Sequence, residues 1–385
     1  MKKILYLIDD INYKSGAQKV TLFQMQQLQK KYDIYMLSLS KPKAPIEFLD
    51  SGHILGNDIW EKTELYAESF KNVMRNNQYS LKEKVLRICY AFSLRMGKGE
   101  KYISYLIEQA LRPQMEAFDD IIIVSEASKL RALVAELKSP KKIQWIHTDY
   151  ARWCEFSEWT KAVTRYDKKL YSKFDVIVVL SEYCKQGLIE RLPEVLDKVA
   201  VVPNMIDGDK ILAQAALPCP IKVDSDCLNL VTVARLDKEK RITKLLHLAK
   251  ELKGKINFKW YVIGDGPDRS MLERLRNEYK LEDCVIFLGH LDNPYPIMKE
   301  CAALVLLSKY EGTPVTIDEA MVLGIGIIAP KIGGIPEQVK GYHDYYLIEK
   351  EQYLEAIVNL NPQSRISYNY KAGNAKIQKE LSEIL

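Results

Sequence analysis

Short apolar runs alternate along this chain with stretches in which apolar residues recur every three to four positions. The runs Lys3–Ile8, Tyr35–Ser40, Asp120–Ser125, Lys142–Ile146, Phe174–Leu180 and Val199–Val202 each read as a buried strand. A second series follows at Leu228–Val233, Lys259–Ile263, Val285–Leu288, Ala302–Leu307 and Ile325–Ala329. Between them, Gln18–Leu28, Ser181–Glu190 and Thr243–Leu252 have helical spacing. Strand, helix and strand in repeated alternation predict parallel, doubly wound α/β sheets. Residues 60–115 read as helical throughout, and the tail from Tyr353 as mostly helical and amphipathic. Residues 208–226, with Pro218, Pro220 and scattered charges, read as an irregular linker.

The densest stretch is Ser308–Val339. It predicts a strand end, a tight loop, a helix, a strand and a second tight loop. Thr313 is placed as the helix cap, Pro314 as its first residue and Gly324 as its end. Val315, Ile317, Ala320 and Met321 form its apolar side. Glu311 precedes this helix and Glu319 lies within it. Helix starts present free N–H groups to anions, and carboxylates accept hydrogen bonds from sugar hydroxyls. A phosphate site beside hydroxyl acceptors suggests a nucleotide sugar. The plain alternatives are an exposed loop acid at Glu311, and a capping box between Thr316 and Glu319.

The ordered set Ser308, Glu311-Gly312-Thr313-Pro314, Glu319-Ala320, Gly324 and Gly333-Gly334-Ile335-Pro336-Glu337 resembles the Glu-x7-Glu signature of retaining glycosyltransferase family 4. Further segments are similar to that family. Ala234-Arg235-Leu236 through Lys240 resembles its phosphate-binding segment, with Ala234 and Arg241 in place of two glycines. Gly264-Asp265-Gly266-Pro267 matches a family turn. Pro203-Asn204-Met205-Ile206-Asp207 resembles the crossing segment, with Met205 in place of a glycine. Ser15-Gly16-Ala17 resembles a glycine loop at the start of the first helix, with Ser15 in place of its first glycine. Gly16 reads equally as a plain helix-start glycine.

The resemblance implies a GT-B architecture: two facing doubly wound Rossmann-like domains with an interdomain cleft. The expected division is 1–203 for the acceptor-side domain, 204–365 for the nucleotide-sugar domain, and 366–385 for a helix packing back on the first. The implied reaction is retaining sugar transfer from a nucleotide sugar, with a UDP-sugar as the expected donor. The expected acceptor is a saccharide or a lipid-linked saccharide for a cell-surface polymer. In the catalytic set, Arg235 and Lys240 take the departing diphosphate charge, Glu311 holds donor-sugar hydroxyls and His147 contacts the sugar or its phosphate. Donor binding falls to Gly16, Asn204, Gly264, Gly266, His290, Gly312, Thr313, Pro314, Val315 and Glu319, the last on the ribose. Taken alone, His147 reads as a structural histidine and His290 as a loop residue. No cofactor and no metal are expected, because cations and a helix start serve the phosphates. Two rivals remain: a nucleotide-sugar epimerase or hydrolase on the same fold, and a non-catalytic partner subunit.

Composition adjusts this picture in three places. The 385 residues exceed what one core organises, which supports two domains. Residues 1–200 hold 32 Lys+Arg against 26 Asp+Glu, and the remainder 24 against 25. Between Lys71 and Lys101 stand eight basic residues and two acidic ones, interleaved with Leu81, Leu86, Tyr90, Phe92 and Leu94. That segment reads as a solvated helical face or as a surface for an anionic membrane. No nucleic-acid motif accompanies the charge. Seven scattered cysteines suit reduced thiols, and no apolar run approaches the roughly 20 residues of a membrane span. The expected place is the cytoplasm, with the inner face of the cell membrane as a docking surface.

Overall fold

The computed structural model describes residues 1–13, 15–56, 60, 69–98, 111–349, 352–360 and 366–385. It divides into two compact units, Met1–Met205 with Ile377–Leu385, and Ile206–Lys376. Much of the expected helical region 60–115 lies outside the described residues. Within it, helices are described at Phe70–Arg75 and Leu81–Arg95.

The first unit is built on a parallel sheet. Its strands are β1 (Lys3–Ile8), β2 (Asp33–Ser38), β3 (Ile54–Leu55), β4 (Asp120–Ile123), β5 (Lys141–Trp145), β6 (Val176–Val179) and β7 (Val199–Val201). They lie in the order β3-β2-β1-β4-β5-β6-β7. Ile4 to Ile8 are all buried, as a strand covered on both faces requires. One face packs Leu5, Leu7, Ile121 and Ile123 with Tyr90, Phe174 and Leu188. The other packs Ile4, Tyr6, Ile122 and Val178 with Met25, Met205, Ile377 and Leu381.

The second unit has a parallel sheet in the order β10-β9-β8-β11-β12-β13. Its strands are β8 (Leu228–Val233), β9 (Phe258–Ile263), β10 (Val285–Gly289), β11 (Ala303–Val305), β12 (Gly326–Pro330) and β13 (Tyr345–Ile348). In both sheets the winding reverses beside the first strand, between β1 and β4 and between β8 and β11. Open α/β sheets bind ligands beyond the carboxyl ends of the strands at that reversal.

One expectation fails here. Residues 208–215 are not linker but a helix, Gly208–Ala215, capped by Asp207, whose Oδ1 accepts from Lys210 N at 3.1 Å. Its Ile211 and Ala215 enter the second unit's core. The apolar spacing outweighs the prolines, which lie after its end. A Cβ on Gly208 would meet the Tyr370 ring at 2.5 Å, so glycine is what lets that ring close on the helix start.

Candidate active site

In the second unit, the loops after β8, β9, β11 and β12 are stitched to one another by backbone hydrogen bonds. Leu236 N donates to Asp265 O at 3.0 Å, Lys309 N to Glu239 O at 2.8 Å, and Gly334 N to Gly312 O at 2.8 Å. Glycine makes this closeness possible. A Cβ on Gly264 (φ +136°) would lie 1.9 Å from Ala234 O, and one on Gly333 (φ +58°) 1.8 Å from Glu311 O. Gly266 sits similarly over Leu236 O, at 2.3 Å. Real atoms cannot approach so closely, so each glycine is a steric requirement of the loop cluster.

This cluster lies at the winding reversal of the second sheet. Lys240 comes from the β8 side and Glu311 from the β11 side, and their side chains form an ion pair at 2.5 Å. Glu311 is buried. Arg235 is half exposed and pairs with Asp237 at 2.5 Å and with Glu239 at 3.4 Å. Asp237 also accepts from Glu239 N and Lys240 N through Oδ1, at 3.0 and 3.1 Å. That carboxylate sets the loop that presents Lys240, a role sequence reasoning missed. An Asx turn signal at Asp237-Lys238-Glu239 was there to be read.

The helix expected after the loop runs Val315–Leu323. Two details correct the sequence reading. Pro314 is the N-cap, with ψ 123°, rather than the first helical residue, and Thr313 does not cap the helix. The capping box is also absent: Glu319 is buried and accepts the Tyr295 hydroxyl at 2.8 Å. Tyr295 thereby helps orient Glu319. Burial, and then the Glu319 charge, hold that phenol well above its ordinary range. Gly324 ends the helix in the left-handed region at φ 69°. Asp318 was not anticipated as notable. Burial, with a smaller contribution from Glu319, pushes its carboxyl up to about 7 against a hydrogen bond from Gln338.

Of the remaining second-unit residues, Gly312, Thr313, Pro314 and Val315 form the turn into this helix. Gly264 and Gly266 sit under the β8 loop. His290 follows β10, is exposed, and has Nε2 3.4 Å from Asp292 Oδ1. Arg241, where a glycine was anticipated, keeps a left-handed backbone (φ 51°, ψ 42°) at the start of the helix Ile242–Leu252. The turn geometry has survived the loss of glycine.

His147, Gly16 and Asn204 belong to the first unit. His147 lies two residues past β5, half-buried and stacked on Trp145 at 6.3 Å. Burial lowers its pKa to about 4, so the ring is neutral at physiological pH. Its Nε2 is buried and makes no hydrogen bond among the described residues. Its backbone N–H donates to the buried Glu126 at 3.3 Å. Gly16 is the first residue of the helix Gly16–Leu28, and Ser15 caps it, accepting from Gln18 N at 3.2 Å. Asn204 follows β7 and is half-buried. Met205, in place of the anticipated glycine, is buried in the first unit's core.

Residues 221–361 match the family model for glycosyl transferases group 1. The matched segment carries the second-unit residues of this site, from Arg235 to Gln338. An uncharacterized glycosyltransferase of Methanocaldococcus jannaschii is 25% identical over 203 residues, or 52% of this chain and 50% of that one. The lipopolysaccharide 1,6-galactosyltransferase of Escherichia coli is 28% identical over 130 residues, or 33% of this chain and 36% of that one. The chain therefore spans half the length of the first relative and about a third of the second. The crystal structure of Anabaena HepE in complex with UDP and glucose superposes with a TM-score of 0.67 at 15% identity, covering 100% of this chain and 98% of that one. The architecture is GT-B in type, with two doubly wound parallel-sheet units.

Among the described residues no group of three His, Cys, Asp or Glu side chains could hold a metal ion. None of the described helices is long and apolar enough to cross a membrane. The seven cysteines are free thiols.

Proposed function

We propose that this chain is a retaining glycosyltransferase that works without a metal. It moves a hexose from a nucleotide sugar, with UDP as the nucleotide, to a saccharide or lipid-linked saccharide during synthesis of a cell-surface polymer. The observation that carries this reading is the Lys240–Glu311 pair at the winding reversal of the second sheet, beside the start of the helix Val315–Leu323. The family match over 221–361 supports it, as do the lipopolysaccharide galactosyltransferase and the UDP complex of HepE.

In this reading the bond between the anomeric carbon and the donor phosphate oxygen breaks, and a bond from that carbon to the acceptor oxygen forms on the same face. The acceptor proton passes to the departing phosphate oxygen. Arg235, Lys240 and the first amides of the helix neutralise the charge that builds on the diphosphate. Glu311, which Lys240 holds in the resting protein, takes the sugar hydroxyls when the diphosphate draws Lys240 away. Glu319, oriented by Tyr295, takes the ribose. The neutral ring of His147 donates one hydrogen bond to the donor sugar or its phosphate.

The test is thermal shift with UDP, GDP and a panel of UDP-sugars, followed by transfer assays with and without EDTA. A ligand bound only by the folded state raises the melting temperature. Stabilisation by UDP, and EDTA-resistant transfer with an α-linked product from an α-linked donor, are the expected outcomes. Donor consumption without an acceptor would mark an epimerase or hydrolase instead. Loss of transfer on chelation, restored by manganese or magnesium, would remove the metal-independent mechanism.

A further inference from the structure

The helix Leu81–Arg95 of the first unit is apolar on both sides. Inward, Tyr90 is buried and Leu86 and Leu94 pack on the core. Arg87, counted by sequence among the cations of this face, is buried over the Tyr90 and Phe70 rings. Outward, Leu81, Val85, Ile88 and Phe92, with Met96 just past the helix end, are 80, 50, 49, 64 and 43% exposed. At about 100° per residue these five side chains fall within an arc of about 80°. A globular helix normally presents polar residues there.

The edges of the stripe are cationic. On the same wheel Lys84 and Arg95 border one side and Lys82 the other, with Lys98 following. The helix has one acid, Glu83, and its carboxylate is held in a capping box with Ser80. Beside the last turn, Arg95, Lys161, Arg165 and Trp159 help line a recess of about 420 Å³, in which Glu158 pairs with Lys161. Trp159 and Tyr166 are 49 and 42% exposed, and the Arg165 guanidinium lies over the Tyr166 ring.

We infer that this face docks on an anionic phospholipid bilayer, with Leu81, Val85, Ile88, Phe92 and Met96 inserted shallowly among acyl chains and Lys82, Lys84 and Arg95 at the headgroups. An apolar stripe edged by cations and aromatic rings has the chemistry of an interfacial helix. Charge complementarity selects this occupant. A second copy of the chain would bring the same cations against one another, whereas anionic headgroups neutralise them. Docking is independent of the donor reading, because it is read without any sugar transfer.

The experiment is sedimentation of the full chain with vesicles of phosphatidylcholine alone, or mixed equally with phosphatidylglycerol. The protein should pellet with the mixed vesicles at low salt, stay in the supernatant with neutral ones, and be released by salt. Ile88→Asp with Phe92→Asp should lower partitioning roughly tenfold or more while leaving far-UV circular dichroism and a cooperative thermal transition intact. Lys82→Glu with Lys84→Glu, one exposed and one half-buried, provides a second variant that keeps the apolar stripe and should also lose binding. Three results would overturn the inference: no pelleting with mixed vesicles at low salt, equal pelleting of wild type and both variants, or a dimer abolished by Phe92→Asp in a protein that ignores vesicles.

Discussion

The two sheets reverse their winding in the same way but close the reversal with different chemistry. In the second unit a cation and a carboxylate, Lys240 and Glu311, meet across it as an ion pair, on loops that glycines allow to touch. In the first unit a carboxylate ties the corresponding loops through a hydroxyl and a backbone N–H, with the Lys129 ammonium within its electrostatic reach. Asp9 accepts from Ser128 Oγ at 2.5 Å and from Lys129 N at 2.8 Å. The first unit also replaces backbone freedom with side chains: Ser15 caps where a glycine was anticipated, and Met205 fills core space. In the reading proposed above, the second-unit reversal exchanges its internal pair for an anion. The other is arranged to hold its shape. Charge chemistry should therefore fail on second-unit substitutions that leave the first unit intact.

The largest effect tests the steric half of that contrast. Gly333→Ala would drive a Cβ into Glu311 O and should cost about 3 kcal/mol or more of second-unit stability. Chemical denaturation followed by unit-specific fluorescence checks it. A loss under 1 kcal/mol would mean that the loops do not need to touch.

Next in size is the charge. Lys240→Ala should lower turnover by roughly 10²-fold, as removal of a transition-state charge partner does. His147→Ala, which removes a neutral donor, should cost about tenfold or less. Steady-state kinetics on both variants orders them, and a larger loss at His147 would reverse the assignment of labour between units.

The sequence made some of this contrast legible and hid the rest for physical reasons. The apolar run Lys3–Ile8 is read residue for residue, because a strand covered on both faces leaves a continuous signal. The glycines at 264, 266 and 333 stand out because no other residue fits. The Tyr295–Glu319 bond was invisible, since no spacing rule links a tyrosine to an acid 24 residues away. Strand β13 was missed because Tyr345–Ile348 is a short edge strand with little burial to mark it. The inward turn of Arg87 could not be told from an exposed cation by counting charges.

A third prediction concerns Asp318, whose carboxyl is raised to about 7 by burial. The folded state then holds a proton that the unfolded state releases near pH 4. Stability falls as pH rises from about 4 to about 7, and the penalty persists above that. Asp318→Asn should remove it, with an advantage near zero at pH 4 that grows to about 4 kcal/mol at pH 8. Denaturant titrations at the two pH values measure it, and a constant difference would show that the group is not protonated in the fold.

The smallest effect sits at Arg241, a non-glycine residue in a left-handed position. Arg241→Gly should raise stability by about 1 kcal/mol, since glycine adopts this backbone without a Cβ clash. A melting temperature that falls instead would show that the arginine side chain contributes more than its backbone strain costs.

The last nine residues complete the first unit, with Ile377 and Leu381 in its core and Lys2 and Lys141 donating to the carbonyls of Leu385 and Ile384. This unit is therefore discontinuous along the chain, and the intervening segment Ile206–Lys376 forms the other unit whole. During synthesis, the face bearing Ile4, Tyr6, Met25 and Met205 is made long before Ile377 and Leu381, which cover it, and waits uncovered until they follow. The second unit can close while that face is still open. The chain thus carries an order of assembly, and a product lacking Ile377–Leu385 would be stranded with an apolar face that chaperones and proteases recognise.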